Sequence, residues 1–155
     1  MRHRIASYNE ESSRYKKLEA VFYKPRVSRP LTQVGKPGAY KFEVGSLDQL
    51  ESVSDNFDEV CEIAYFNYES MLNDEGVARE VARMILPVNI FTSFYCTINL
   101  RSLMNFLSLR SAAEGMFPSM PLYEIAMVAD QMEGIFGSLF PVTYAAFIDG
   151  RRVAP

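Results

Sequence analysis

The sequence predicts an α+β domain that is predominantly helical, with two or three strands. Three observations lead there. From Leu47 onward, apolar residues recur at three- and four-residue spacing, the period that sets one face of an α-helix against a core. One run, NIFTSFYCTI at residues 89–98, is instead dense in β-branched and aromatic residues and reads as a buried strand. Prolines and glycines gather in residues 25–45 and 111–121, where they mark loops.

Taken in order, residues 20–24 (AVFYK) read as a short strand ended by Pro25. Three prolines and three glycines from Pro25 to Gly45 predict an irregular loop. Ser46 followed by Gln49 is a capping-box pattern. It opens a long amphipathic helix carried by Leu47, Leu50, Val53, Phe57, Val60, Cys61, Ala64, Tyr68 and Met71, and broken at NDEG, residues 73–76. A second helix near residues 77–86 stops at Pro87, because the residue before a proline resists helical geometry. After the strand at 89–98, NLRSLMNFLSLR forms a helix with Leu100, Leu103, Met104 and Leu107 on one stripe. A loop at 111–121 precedes a long helix near 122–139 and a short one at 141–148. No internal repeat or low-complexity segment is present.

The chain's 155 residues are enough for a single domain, 1–155, with one core. A net charge of −3 argues against a generic nucleic-acid-binding surface. No run of 18 apolar residues exists and the N-terminus lacks the apolar core of a signal peptide, so neither a membrane span nor export is expected and the cytoplasm is the default. Cys61 and Cys96 lie far apart in apolar, periodic segments and read as buried free thiols. His3 is the single histidine and no Cys-x-x-Cys spacing occurs, so no metal site is expected. The groups Phe22/Tyr23, Phe91/Phe94/Tyr95 and Tyr144/Phe147 read as core, as do the methionines of the helices.

Three polar constellations stand out. Arg79 and Arg83 are four apart on the expected second helix and so share a face. They are either a solvated basic face partnered by Glu75 and Glu80, or a bidentate anchor for phosphate or carboxylate. Arg101 and Asn105 are also four apart, in a helix otherwise almost wholly apolar, where a buried arginine is costly unless paired. Arg110, nine residues after Arg101, comes round about half a turn away. That helix thus offers a polar seam on one side and a charged group near its end on the other, unless the arginine serves a structural ion pair. The densest cluster opens the chain: Arg2, His3 and Arg4, then Asn9, Glu10, Ser12, Ser13 and Arg14. Cations, a planar ring, hydroxyls and an amide suit a ligand with a phosphate and a heterocycle. Ser12 has no local base to make it a nucleophile and reads as a hydrogen-bond donor.

On these residues the sequence resembles the flavin-dependent thymidylate synthases. RHRIASYNEESSRY, residues 2–15, is similar to the family's signature, RHR, seven residues, then Ser. Arg2, His3, Arg4 and Ser12 fit it, with Asn9, Glu10, Arg14 and Tyr15 also in favoured positions. REVARMILP (79–87) and NLRSLMNFLSLR (99–110) continue the similarity in the family's order.

The resemblance implies the α/β-type ThyX fold and reductive methylation of dUMP to dTMP. Methylenetetrahydrofolate would supply the carbon and NADPH the reducing equivalents, carried by FAD. It places Arg2, His3, Arg4, Asn99, Leu100, Arg101 and Asn105 on the flavin. Arg2, Glu10, Glu11, Ser12, Ser13, Arg14, Arg83 and Arg110 fall on dUMP. Arg110 takes the catalytic role, stabilising the N3-deprotonated uracil with a permanent charge. Family sites form between subunits, so a homotetramer is expected.

Two departures go with the resemblance. The family's usual N-terminal region before RHR, with a flavin-binding histidine motif, is not matched, so the chain reads as a C-terminal portion of such an enzyme. The alternative is an inactive nucleotide- or flavin-binding remnant, or one half of a split enzyme needing an N-terminal partner. After Arg110 the chain has SAAEGMFPSMPLYEI in place of a short stretch with His-Ala-Gln, although Glu124-Ile125 remain.

Overall fold

Ser46 starts the longest element as its sequence demands. Its hydroxyl accepts from the Gln49 N–H at 3.2 Å, and the Gln49 side chain accepts from the Ser46 N–H at 2.8 Å, a reciprocal cap that satisfies two orphan donors. Residues 5–37 and 40–155 are described in this computed structural model. Their elements are β1 (Ala6–Glu10), β2 (Thr32–Val34), β3 (Lys41–Glu43), α1 (Leu47–Asn73), α2 (Arg79–Ala82), β4 (Phe94–Ile98), α3 (Leu100–Arg110), α4 (Tyr123–Leu139) and α5 (Pro141–Asp149). This is the helical α+β class the sequence predicts. The chain divides into two compact units, one of Glu10–Phe94 and one of the residues through Asn9 with Tyr95–Pro155.

In the first unit, α1 turns Cys61 and Tyr68 fully inward, with Val53, Phe57 and Ala64 half-buried along the same stripe. Leu47 and Val60, assigned to that stripe by spacing, are exposed. The helix ends as NDEG requires: Gly76 sits at φ 67° and the Val77 N–H closes back on the Met71 carbonyl at 2.8 Å. Replacing the cap, Ser46→Ala, is expected to lower unfolding free energy by about 1 kcal/mol in urea titrations.

Three expectations in this unit are corrected. Residues 20–24 are not a strand; Phe22 makes one antiparallel bridge to Ile90. The bonds Tyr23 N–H to Asn89 O (2.8 Å) and Phe91 N–H to Val21 O (2.9 Å) flank it, and Pro25 brings no donor to extend the ladder. The 25–45 loop is not wholly irregular, for β2 and β3 pair antiparallel with Gln33 opposite Phe42, and Gly35 at φ 105° supplies the turn conformation that side chains resist. The second helix is only one turn, α2, followed by a 3₁₀ turn at Arg83–Ile85. Leu86, before Pro87, is extended at ψ 136°, as the proline rule requires.

In the second unit β1 pairs with β4, and α3 packs on α4 and α4 on α5. Met104, Leu107, Ala129, Phe136 and Phe147 form the core, with Leu100, Leu103 and Tyr144 packed against it. The α3 stripe and the Tyr144/Phe147 pair are thus where periodicity puts them. β4 is shorter than the run at 89–98 and is not buried: Phe94, Tyr95 and Cys96 are exposed, Tyr95 at 84%. Phe91, in the first unit, is exposed as well. Among the described residues the sheet has two strands only, so an apolar run that signals burial is left uncovered. Cys61 is buried, Cys96 is not, and both are free thiols. Among the described residues no helix is long and apolar enough to cross a membrane, and no cluster of His, Cys, Asp and Glu could hold a metal.

Candidate functional site

In the first unit, a turn at residues 12–16 gathers the polar cluster that follows β1. The Tyr15 and Lys16 N–H groups both donate to the Ser12 carbonyl, at 3.1 and 3.2 Å. That fold of the backbone buries Ser13 and leaves Arg14 exposed. Arg83, 70 residues on, donates from Nη1 to the Ser13 hydroxyl at 2.9 Å. Arg14 pairs with Glu80 at 3.2 Å and lies over the Tyr15 ring at 5.8 Å. The Arg14 N–H donates to Ser12 Oγ at 3.4 Å.

Glu80 is partnered by Arg14 rather than by Arg79 or Arg83, and the helix meant to carry both arginines on one face stops at Ala82. Glu11 accepts from Lys16 Nζ at 2.6 Å and from Ser93 Oγ at 3.1 Å. Those hydrogen bonds, Lys16's first, hold its carboxyl below the ordinary range. Glu10 is the exposed last residue of β1. The 12–16 turn and Arg83 thus bring two guanidiniums and two serine hydroxyls into one neighbourhood, residue types whose forks and hydroxyls can match phosphate or carboxylate oxygens.

In the second unit the remaining candidate residues lie on α3. Asn99 caps the helix, its side chain accepting from the Ser102 N–H at 2.8 Å. Leu100 packs against the core; its N–H belongs to the first turn, whose donors lack intrahelical partners. Arg101 is exposed, not buried as its apolar neighbours suggested; it stands in the first turn, to one side of the Met104/Leu107 stripe. Asn105 donates to the Arg101 carbonyl at 3.0 Å. Arg110 stands half-buried in the last turn, its Nη1 on the Leu109 carbonyl at 2.9 Å. Neither Arg101 nor Arg110 forms an ion pair among the described residues. Arg101 and Asn105 thus share one side of a helix that is otherwise largely core, Arg110 stands about half a turn away, and both ends carry a charged or capping group. Arg2, His3 and Arg4 lie outside the described residues.

Sequence reading named Ser13 and Arg83 separately but missed their contact, which no local spacing encodes. It also passed over Glu133 and Arg152, a buried bidentate pair at 2.6 and 2.5 Å beside the loop that follows Arg110. The only available signal was a cation close after the last helix.

Residues 1–142 match the family model described as thymidylate synthase complementing protein. The chain is 54% identical to a flavin-dependent thymidylate synthase of Tropheryma whipplei, covering 100% of this chain and 65% of that protein. It is 51% identical to one from Streptomyces avermitilis, covering 100% and 63%. It therefore spans a little under two thirds of the length of these curated relatives. A crystal structure of the UMP/dUMP methylase PolB from Streptomyces cacaoi, bound with 5-Br UMP, superposes with a TM-score of 0.95 at 45% identity, over 99% of this chain and 68% of that one. With three motif segments in order, a family model matching residues 1–142 and these relatives matching along the whole of this chain, the chain belongs to the flavin-dependent thymidylate synthases.

Proposed function

We propose that the protein takes part in the reductive methylation of dUMP to dTMP. Methylenetetrahydrofolate donates a one-carbon unit to uracil C5, and NADPH supplies the two electrons that bring it to a methyl group. Tetrahydrofolate and NADP⁺ are the other products. The observation that carries this reading is α3, where Arg101 and Asn105 share one side and Arg110 stands about half a turn away near the end, on a helix otherwise packed into a core. Beside it stands the family membership and the uracil nucleotide analogue named in the Streptomyces cacaoi structure.

The donor set fits a flavin dinucleotide. The exposed Arg101 guanidinium, the first-turn N–H groups and the amide of Asn99 sit at the positive end of the α3 dipole, which favours an anionic pyrophosphate, with Asn105 one turn further along. Arg2, His3 and Arg4 add to that site in this reading, with Arg2 also near the nucleotide. Bound there, FAD supplies hydride chemistry to the reaction.

The remaining roles belong to the chain's own residues. Arg14, Ser12 and Ser13 hold the dUMP phosphate, with Arg83 keeping the Ser13 hydroxyl oriented and adding charge. Glu10 and Glu11 frame that loop, Glu11 ionised and tied to Lys16. Arg110 lies on the uracil edge and stabilises the negative charge left when N3 loses its proton. A permanent guanidinium suits this, because it is charged at every working pH. No cysteine nucleophile is required. Large apolar residues left exposed on the helices, among them Phe66, Leu139 and Val142, accord with association of subunits, for which the homotetramer is the reading the family resemblance implies. Two free thiols, one of them exposed, accord with a reducing cytoplasm.

Purified protein is expected to be yellow and to oxidise NADPH only when dUMP and methylenetetrahydrofolate are present, with dTMP formed. Absence of both flavin absorbance and dUMP-dependent oxidation, with or without a complementing N-terminal half, sinks the reading. Binding of dUMP and FAD without turnover would mark a non-catalytic relative; turnover restored by such a half would mark a split enzyme. Ser12→Ala should weaken rather than abolish the reaction. Its KM for dUMP is expected to rise about tenfold, the worth of one hydrogen bond to a charged group.

A further inference from the structure

Both flanks of Arg110 are held by residues that follow it in the chain. On its C-terminal side, Ser111 is buried, 2% exposed, and its N–H closes α3 on the Leu107 carbonyl at 3.1 Å. The Ser111 hydroxyl donates to Asp130 Oδ1 on α4 at 3.0 Å and accepts from the Ala113 N–H at 3.2 Å. Less than one turn along α4 from Asp130 is Glu133. Its carboxylate receives both arms of the Arg152 guanidinium at 2.6 and 2.5 Å and the Tyr144 hydroxyl at 3.0 Å. On the N-terminal side, the Leu109 carbonyl accepts from Ser119 Oγ at 2.6 Å as well as from Arg110 itself.

The loop carrying Ser111 and Ser119 is in turn seated on the C-terminal strap. Met116 N–H donates to the Arg151 carbonyl at 2.8 Å. A Cβ at Gly115 would lie 3.3 Å from that carbonyl and 3.3 Å from Arg152 Cβ, so only glycine fits without the neighbours giving way. Arg151 and Arg152 stand in the left-handed region at φ 54° and 62°. Residues with side chains hold that conformation only where their surroundings over-determine it. Arg152 supplies that determination: its guanidinium lies 5.4 Å over the Phe147 ring and its N–H bonds the Phe147 carbonyl at 2.8 Å.

We propose that Arg152 is a positioning residue for Arg110, acting through Glu133 and through the loop that its strap supports; this rests on the reading in which Arg110 faces the uracil. A planar fork locked on a buried carboxylate sets the strap, the strap sets the loop, and the loop sets both peptide neighbours of Arg110. Lysine keeps the charge but not the fork, so it loosens the chain of contacts without removing the countercharge of Glu133.

The test compares Arg152→Lys with the wild-type protein by hydrogen exchange and by steady-state kinetics with dUMP. Amides of residues 107–119 are expected to lose protection while those of the middle of α4 keep it. The kcat should fall about tenfold with KM for dUMP changed less than about twofold, as a small misplacement of a transition-state contact does. The acid limb of the kcat profile should move to higher pH, because a poorly placed guanidinium stabilises the N3 anion less. Unchanged exchange at 107–119, with unchanged kcat and pH profile and only a lowered Tm, overturns the proposal. A wild-type protein with no dUMP turnover removes the catalytic reading alone, and exchange then decides the clamp by itself. Should Arg152→Lys fail to fold, Glu133→Gln, which preserves shape and the Tyr144 hydrogen bond, is held to the same outcomes.

Discussion

Arg110→Ala is expected to abolish turnover while leaving a folded protein: kcat falls about a thousandfold, the scale of losing a preorganised charge at a developing anion. The structure explains why so large a kinetic effect comes with a small structural one. Arg110 is half-buried, makes no ion pair among the described residues, and spends one guanidinium arm on the adjacent Leu109 carbonyl. Its removal forfeits a favourable interaction with the C-terminal end of the α3 dipole, worth about 0.3–1 kcal/mol at an exposed position. Circular dichroism and Tm should therefore stay near wild type. Arg110→Lys should rescue little, since an ammonium lacks the planar fork that matches a uracil edge. A fully active alanine variant would falsify the role of this residue.

The second large effect is on stability. Arg152→Ala leaves Glu133 buried without its countercharge, which is expected to cost about 3–5 kcal/mol. Their side chains are only 7% and 11% exposed, so water cannot take the arginine's place. The double variant Glu133→Leu/Arg152→Met removes both charges and keeps volume, and should unfold within about 1 kcal/mol of wild type or above it, as buried pairs replaced by apolar residues do. Two single losses that sum to far more than the double loss, read from denaturant titrations, establish the coupling. Equal, additive losses would disprove it.

The same pair sets a pH dependence. Burial alone would raise the Glu133 carboxyl, but the hydrogen bonds and charge of Arg152, helped by Tyr144 and Ser111, outweigh it and bring the group below its ordinary value. A lowered folded-state pKa means stability that is present above the unfolded value of about 4.3 and is lost as pH falls through the lower folded value. Wild-type unfolding free energy should thus drop in acid below about pH 4.3, and the apolar double variant should drop less over the same range.

Much of the helical architecture was legible before any coordinates. Ser46 and Gln49 form the expected cap, Gly76 the expected stop, and α3, α4 and α5 begin and end within a residue or two of their predicted bounds. Signals of this kind act within about four residues, so a single sequence contains them whole. β-structure was read less well. Residues 20–24 have strand composition but a partner at Ile90 for only one position. The β2–β3 hairpin hides among prolines and glycines because its strands are three residues long. β4 looks buried from its side chains, yet burial is a property of what lies over a sheet and not of the strand.

The candidate site divides the same way. The family signature, the identity of the cations and the face of α3 that carries Arg101 and Asn105 are properties of residue type and helical period, and the sequence alone determined them. Three matters waited for the tertiary structure. Arg83 reaches Ser13 across 70 residues, Glu80 serves Arg14 instead of its own helix, and Arg152 closes on Glu133 to clamp the flanks of Arg110. Each depends on two segments meeting through the packing of others, so the free energy that selects the contact lies in the fold and in no window of the chain.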